Sequence, residues 1–224
     1  MPSADASRSG PEERLAIEVE RSLSLDALIG QAWQALDSNG DARLQAPAGL
    51  CGLSLDHGRA LRLLIGVVPP SAIALLRPQY EGLVRAVWAR HCASDADLER
   101  LSAELTPESQ HAAKRLPGIP EMLEGIGRSG PRGAQALLAR ARVRLMDGMN
   151  SFVHGGIHPF RRGQDGYPIP MLLDVLKNSN AMSMLTLLVL AELSEDAAVV
   201  DLVKSLHVEF EDILPELEPF SAPA

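Results

Sequence analysis

The fold prediction rests on the stretch LLRPQYEGLVRAVWARHC, residues 75–92. Leucine, valine and tryptophan recur there at spacings of three and four residues, which is typical of a helix with a buried face. Ser71 can cap this helix, which should run to about Cys92, and Pro78 inside the pattern predicts a kink or a later start. The many large apolar side chains indicate that this helix lies at the centre of the molecule.

Helical patterns also cover most of the remaining chain. No stretch shows sustained period-two alternation with hairpin turns, and no long internal repeat is present. The sequence therefore predicts an all-α protein: a single helical bundle of about seven to nine helices over residues 11–218, with a disordered tail at 1–10 and a flexible tail at 219–224. The other predicted helices cover 11–36, 49–66, 94–105 with a Ser94–Asp97 capping box, a short helix from Thr106 with Pro107 at its first position, 117–127, 130–154, a helix from Pro168 or Pro170 to Glu192, and one from Ser194 to about Glu218.

Composition narrows the class of protein. Apolar residues make up 46% of the 224 residues and aromatic residues only 4%, which favours a globular helical protein. The two cysteines form no C-x-x-C pair, the N-terminus lacks the apolar segment of a secretory signal, and the apolar stretch 178–191 is too short to span a bilayer. We therefore expect a cytoplasmic protein of bacterial type, with no membrane association and no cofactor.

The net charge of −8 is unevenly spread along the chain. Residues 128–162 hold seven arginines against one acidic residue, whereas residues 192–218 hold nine acidic residues against one lysine. One interpretation is that the basic segment binds an anion. The other interpretation is that the two segments pack together as complementary surfaces.

Arg77, Glu81 and Arg85 follow one another at four-residue spacing on the predicted central helix. They therefore lie near one face of it, as an ion-pair arrangement. Arginines on a central helix need partners, because an unpaired buried charge is costly, and Glu81 can satisfy one of them. The other arginine is then either part of a structural network or free to hold an anion such as phosphate, which its planar fork suits.

A second group of candidate residues lies in NSFVHGGIHPFRRG, residues 150–163. Asn150 and His154 are four residues apart, on one face of the long basic helix. The glycine pair at 155–156 predicts that this helix ends there. We expect its last turn to face Arg77, Glu81 and Arg85, so that an imidazole, an amide and the arginines share one polar pocket.

Two further motifs have other interpretations. The sequence GIGRSG at 125–130 matches G-x-G-x-x-G, but the preceding residues are predicted helical, so it is interpreted as a helix–helix turn and not as a phosphate loop. A metal site formed by His154, His158, His91 and Cys92 would require the helix to continue through the glycine pair, which argues against it.

The combination of an all-α chain, an R-x-x-x-E-x-x-x-R helix and a later N-S-F-V-H-G-G helix end resembles the HEPN-like domains. It is most similar to uncharacterised bacterial proteins related to the AbiV-type abortive-infection group. This resemblance implies a helical bundle that dimerises, and in many members a metal-independent ribonuclease of toxin–antitoxin, phage-defence or RNA-processing systems. The hallmark of the family is R-x(4–6)-H, whose spacing Arg85 and His91 fit, with Ala86 where a polar residue is usual.

The resemblance implies a catalytic site drawn from His154, Arg85, Asn150, Arg77, Glu81 and His91. An RNA 2′-hydroxyl would attack the adjacent phosphate, with His154 or His91 as base or acid, because histidine titrates near neutral pH. Arg85 or Arg77 would stabilise the phosphate charge, and Asn150 would orient the phosphate. Asn150 stands where the family motif has the arginine that precedes the histidine. The arginine that acts together with His154 would therefore be Arg77, Arg85 or Arg144.

Three hypotheses of function remain open at this point. The first is a HEPN-like ribonuclease or nucleotide- or RNA-binding protein of a bacterial defence or toxin system. The second is a non-catalytic helical module that dimerises or binds a protein partner, and the third is a metal-dependent helical enzyme. The expected partners are a second copy of the chain, RNA or a nucleotide, and a protein partner, but not DNA.

Overall fold

The computed structural model describes residues 10–34 and 41–216, and within these ranges the chain is helical and contains no strand. The all-α bundle predicted from the sequence is therefore confirmed. The described residues form ten α-helices and a final 3₁₀ turn at Glu211–Ile213. The helices are α1 Pro11–Gln34, α2 Ala42–Leu64, α3 Pro69–His91, α4 Asp95–Ser102, α5 Pro107–Ala113, α6 Ile119–Ser129, α7 Ala134–Val153, α8 Ile157–Asp165, α9 Ile169–Ser194 and α10 Ala197–Glu209.

The centre of the bundle is α3, as its apolar pattern predicted. It packs against α2, α6, α7 and α9, and most of its side chains from Ala72 to Ala89 are buried. Pro78 does not delay or interrupt α3, which starts at Pro69 and continues to His91. Proline removes one helix hydrogen bond, but the packing of α3 against four neighbouring helices offsets that loss.

Several helix boundaries differ from the prediction, each for a local reason. The second helix starts at Ala42 and not at 49, because the Asp41 side chain accepts the N–H of Arg43 at 2.8 Å and caps it. The last helix starts after Asp196, which accepts the N–H of Ala198 at 2.8 Å, and it ends at Glu209. The capping box of Ser94 and Asp97 is present as predicted.

The helix α8 was not predicted. Its apolar side chains, Ile157 and Phe160, are both exposed, so it shows no pattern directed at a core. The GIGRSG motif was predicted to form a helix–helix turn, but Gly125 and Gly127 lie within α6, and the turn begins only at the last residue of the motif, Gly130. Four predicted segments lie outside the described residues: the tails at 1–9 and 219–224, and the helix ends at 35–36 and 217–218. No helix in the described ranges is long and apolar enough to cross a membrane.

Candidate active site

The helix α7 ends at the glycine pair, as predicted. The N–H of His154 donates to the Asn150 carbonyl at 3.0 Å, and Gly155 takes a positive φ of 63° that favours glycine. Ser151 fixes the turn into α8, because its Oγ accepts the N–H of His158 at 3.0 Å. His154 and His158 therefore belong to two different structural elements, and their four-residue spacing does not place them on one helix face.

The end of α7 meets α3 at a single guanidinium group. Arg77 donates from Nε to Glu81 Oε1 at 2.8 Å and from Nη1 to Asn150 Oδ1 at 2.7 Å. The same Nη1 atom lies 3.4 Å from His154 Nε2. Four of the six candidate residues therefore form one cluster, in which Arg77 contacts the other three.

His154 meets Arg77 through its Nε2 atom. A guanidinium group only donates hydrogen bonds, so Nε2 can only be the accepting side of this 3.4 Å contact. His154 is exposed, and the side chains of Arg77 and Glu81 keep 30% and 26% of their accessible surface. Arg77 already uses Nε and Nη1 for Glu81 and Asn150, so a phosphate that arrives from solvent meets its remaining Nη2 group beside the imidazole.

The other two candidate residues are not brought to this cluster. Arg85 lies two helical turns from Arg77, is half-buried, and makes no hydrogen bond or ion pair with the described part of the chain. His91 is at the end of α3, where its Nε2 lies 2.9 Å from Glu192 Oε2 on α9. Because Arg85 and His91 are separated by about 9 Å along α3 and by about 120° around it, their R-x5-H spacing forms no joint site within this chain.

An apolar cavity of about 100 Å³ lies beside the His91–Glu192 pair, between α3, α7 and α9. Its walls include Leu83, Leu137 and Leu185, and His91 and Glu192 are its only ionisable lining residues in the described chain. The cavity offers no cationic fork for a phosphate, so it is chemically distinct from the Arg77 cluster.

The described ranges contain no group of three or more His, Cys, Asp or Glu side chains that could hold a metal ion. The metal site considered from His154, His158, His91 and Cys92 is not formed there. Burial raises the pKa of the Cys92 thiol, which keeps the thiol protonated at neutral pH when no metal is bound.

Arg142 is a residue of this region that the sequence analysis did not single out. It follows Leu138 by one turn of α7, and the Tyr80 hydroxyl donates to the Leu138 carbonyl at 2.9 Å. Burial raises the pKa of Tyr80 to about 12; the nearby charge of Arg142 lowers that pKa and the charge of Glu81 raises it. Tyr80 thus lies near two charged side chains, Arg142 on α7 and Glu81 on α3.

A second polar cluster, also missed, lies in the core between α1, α2, α3 and α9. Arg62 is fully buried and donates from Nη2 to Ser183 Oγ at 2.8 Å and from Nε to Asn180 Oδ1 at 3.1 Å. Its Nη1 lies 3.5 Å from Asp26 Oδ1. Burial lowers the pKa of Arg62 to about 10, and the Asp26 carboxylate partly offsets that shift, so Arg62 stays charged at neutral pH.

The polar groups of this buried network are hydrogen-bonded to one another. Gln79 donates to the Ser179 carbonyl at 3.0 Å and accepts from Ser179 Oγ at 2.7 Å, and Asn180 donates to Ser22 Oγ at 2.9 Å. Because these groups are paired within the protein and shielded from water, the network holds four helices in register and does not form a ligand site.

The acidic and basic segments do not form one interface among the described helices. Within the acidic segment, α10 packs on α9, whereas α7 packs mainly on α3, α6 and α8. Arg144 of α7 pairs instead with Asp174 of α9 at 2.9 Å, and Arg161 pairs with Asp165 within α8 at 3.4 Å. The surface of α7 beside the Arg77 cluster is therefore not covered by α10.

The sequence of residues 51–216 matches the family of unknown function DUF6988, so the match covers 166 of the 224 residues. The chain therefore belongs to this family. The matched region contains the whole Arg77 cluster as well as Arg62 and Arg142. None of the curated proteins and none of the solved structures matches the chain.

Proposed function

We propose that the protein is a HEPN-like, metal-independent ribonuclease of a bacterial defence or toxin system, acting in the cytoplasm, and that Arg77, Asn150 and His154 form its centre. The observation that carries this proposal is the position of one arginine nitrogen within reach of both Asn150 Oδ1 and His154 Nε2, at 2.7 and 3.4 Å. A phosphate bound by Arg77 would thus lie next to an imidazole nitrogen that can accept a proton.

Each residue has a distinct part in the proposed reaction. When Arg77 turns from His154 to the bound phosphate, Nε2 is free to accept the proton of an RNA 2′-hydroxyl, while the 2′-oxygen attacks the neighbouring phosphorus. The bond from phosphorus to the 5′-oxygen breaks, and that oxygen takes a proton from the imidazolium or from water. Arg77 stabilises the charge that develops on the phosphate, Asn150 orients it, and Glu81 holds the Arg77 side chain through its 2.8 Å hydrogen bond.

The test is cleavage of labelled total RNA in the presence of EDTA by the wild type and two histidine variants. His154→Ala removes the proposed base, whereas His158→Ala removes an exposed histidine that lies four residues later and outside the Arg77 cluster. We expect the wild type and His158→Ala to cleave and His154→Ala not to cleave. Equal cleavage by all three proteins, or none by the folded wild type, would refute the proposal.

A non-catalytic module that dimerises or binds a protein partner is the second candidate. The observation that favours it is a set of exposed apolar side chains on α7 and α8, where Val143, Ile157 and Phe160 keep 83%, 63% and 60% of their surface. Sedimentation of the wild type and of Phe160→Asp tests it: a dimer that the substitution dissociates, together with an absence of RNA cleavage, would favour the module.

A further inference from the structure

The side chain of Arg142 is packed against the protein but has no hydrogen-bond or ion-pair partner among the described residues. It is half-buried, and its Nε atom is covered without a hydrogen-bond acceptor in the structure. Its terminal nitrogens are not fully covered in this way, and they make no hydrogen bond or ion pair with the described residues. Packing thus fixes the stem of the guanidinium and leaves its fork free, which is the arrangement that suits recognition of an external oxyanion.

Neighbouring arginines of the basic segment differ from Arg142 in this respect. Arg144, two residues further along α7, is exposed and its charge is neutralised by Asp174 at 2.9 Å. Glu81 is already paired with Arg77 at 2.8 Å. The charge of Arg77 is therefore neutralised by a carboxylate, whereas that of Arg142 has no ion-pair partner among the described residues.

The distance along α7 is compatible with two phosphates of one strand. Arg142 precedes Asn150 by eight residues, or about 12 Å along the helix axis, and both arginine side chains can reach several ångström from their backbones. A strand whose reacting phosphate lies at Arg77 and Asn150 would place a neighbouring phosphate near Arg142. Positive grooves that follow the phosphate backbone in this way are typical of proteins that bind single-stranded nucleic acid.

We infer that Arg142 binds a second phosphate of the strand, so that the site takes single-stranded RNA with at least two successive phosphates and not a mononucleotide. This inference rests on the proposed function, because it assigns the first phosphate to Arg77 and Asn150. It names a binding residue beyond the cluster, and it predicts that affinity increases with the second phosphate.

The inference is tested by binding of non-cleavable, fluorescently labelled 2′-O-methyl strands. A dinucleotide carries one internucleotide phosphate and a trinucleotide carries two. We expect the wild type to bind the trinucleotide about tenfold more tightly than the dinucleotide, since hydrogen bonds between charged groups are the stronger kind. Arg142→Gln should abolish that preference, and Arg142→Lys, which keeps the charge but not the fork, should retain part of it.

Arg144→Gln is the matched control, because it removes the same charge from the same helix at a position that is already paired. It should keep the trinucleotide preference. The slope of log affinity against log salt for the trinucleotide should become shallower in Arg142→Gln, because one ionic contact with the strand is lost. Circular dichroism confirms that each variant is folded.

The possible outcomes separate the two proposals. A wild type that prefers the trinucleotide but does not cleave RNA would refute the ribonuclease and leave the second phosphate site intact. A wild type that cleaves RNA but shows no preference would refute the inference alone. The inference also fails if Arg142→Gln keeps the preference, if Arg144→Gln loses it equally, or if neither strand binds.

Discussion

Arg77 on α3 donates to the side-chain oxygen of Asn150 on α7 at 2.7 Å, although 73 positions separate the two residues in the chain. This hydrogen bond ties the last turn of α7, and with it His154, to the central helix. Both partners remain partly accessible to solvent, so this hydrogen bond contributes little to the stability of the fold. Its functional importance comes from its position beside the imidazole of His154.

Arg77→Gln should separate activity from stability. The substitution removes the proposed phosphate ligand, so we expect RNA cleavage to fall about 100-fold or more. The free energy of unfolding should change by only about 1 kcal/mol, because partly exposed ion pairs contribute little. Measurements of kcat/KM and of urea unfolding check this, with Arg144→Gln as a control that should cleave normally. Unchanged cleavage would contradict the assignment of Arg77, and a loss of stability of several kcal/mol would make it structural.

The sequence predicted the helices better than the contacts between them. Apolar spacing identifies α3 and its burial, and the Ser94 capping box is read directly from residue types, because both depend on neighbours in the chain. The spacing of Arg85 and His91 fits a known motif, but the structure pairs His91 with Glu192, which a motif cannot reveal. Which helix faces meet is decided by packing over the whole bundle.

Arg62 also shows that the sequence does not reveal which helix faces meet. It lies three residues after Arg59 on α2, and nothing in the sequence indicates that one guanidinium is fully buried while the other keeps 51% of its surface. The difference arises because α1 and α9 close over Arg62. The polar residues at 178–183 of α9 were the available signal, since they interrupt an otherwise apolar helix.

Arg62→Met should destabilise the protein severely. It leaves the Asn180 and Ser183 side chains without one of their partners and removes a buried counter-charge from Asp26. Breaking a buried charged pair from one side costs about 3–5 kcal/mol. Arg59→Met removes the half-exposed partner of the same buried Asp26, bonded at 2.7 Å, but leaves Arg62 beside the carboxylate, so it should cost less, about 1–3 kcal/mol. Urea unfolding of both variants tests this difference. Equal losses in the free energy of unfolding would mean that the burial of Arg62 does not account for its contribution to stability.

Gly58→Ala tests how tightly the buried network is packed. An added Cβ would lie 2.7 Å from Gln79 Nε2 and 2.8 Å from Arg62 Nη1, and neither buried side chain can move without breaking hydrogen bonds. We expect a loss of about 1–3 kcal/mol in the free energy of unfolding. Gly49→Ala, in the same helix, meets no atom within 4 Å and should stabilise by up to about 1 kcal/mol. Thermal unfolding of the pair should therefore shift in opposite directions, and a shift in the same direction would contradict this packing.

Tyr80 should make the protein sensitive to alkaline pH. Burial raises its pKa from 10 to about 12, so the folded protein keeps the phenolic proton in a range where the unfolded chain has lost it. Unfolding therefore releases a proton between about pH 10 and pH 12, and the contribution of this group to stability is complete below pH 10 and declines as the pH rises towards 12.

The chain contains two tyrosines, Tyr80 and Tyr167, and burial raises the pKa of both, so alkaline absorbance of the native protein and of Tyr80→Phe separates their titrations. Tyr80→Phe should remove the component that titrates near pH 12 and weaken the decline in stability above pH 10. It should cost about 1 kcal/mol at neutral pH, because the hydrogen bond to the Leu138 carbonyl is lost. A tyrosine that titrates near pH 10 in the folded wild type but not in Tyr80→Phe would show that water reaches Tyr80 between α3 and α7.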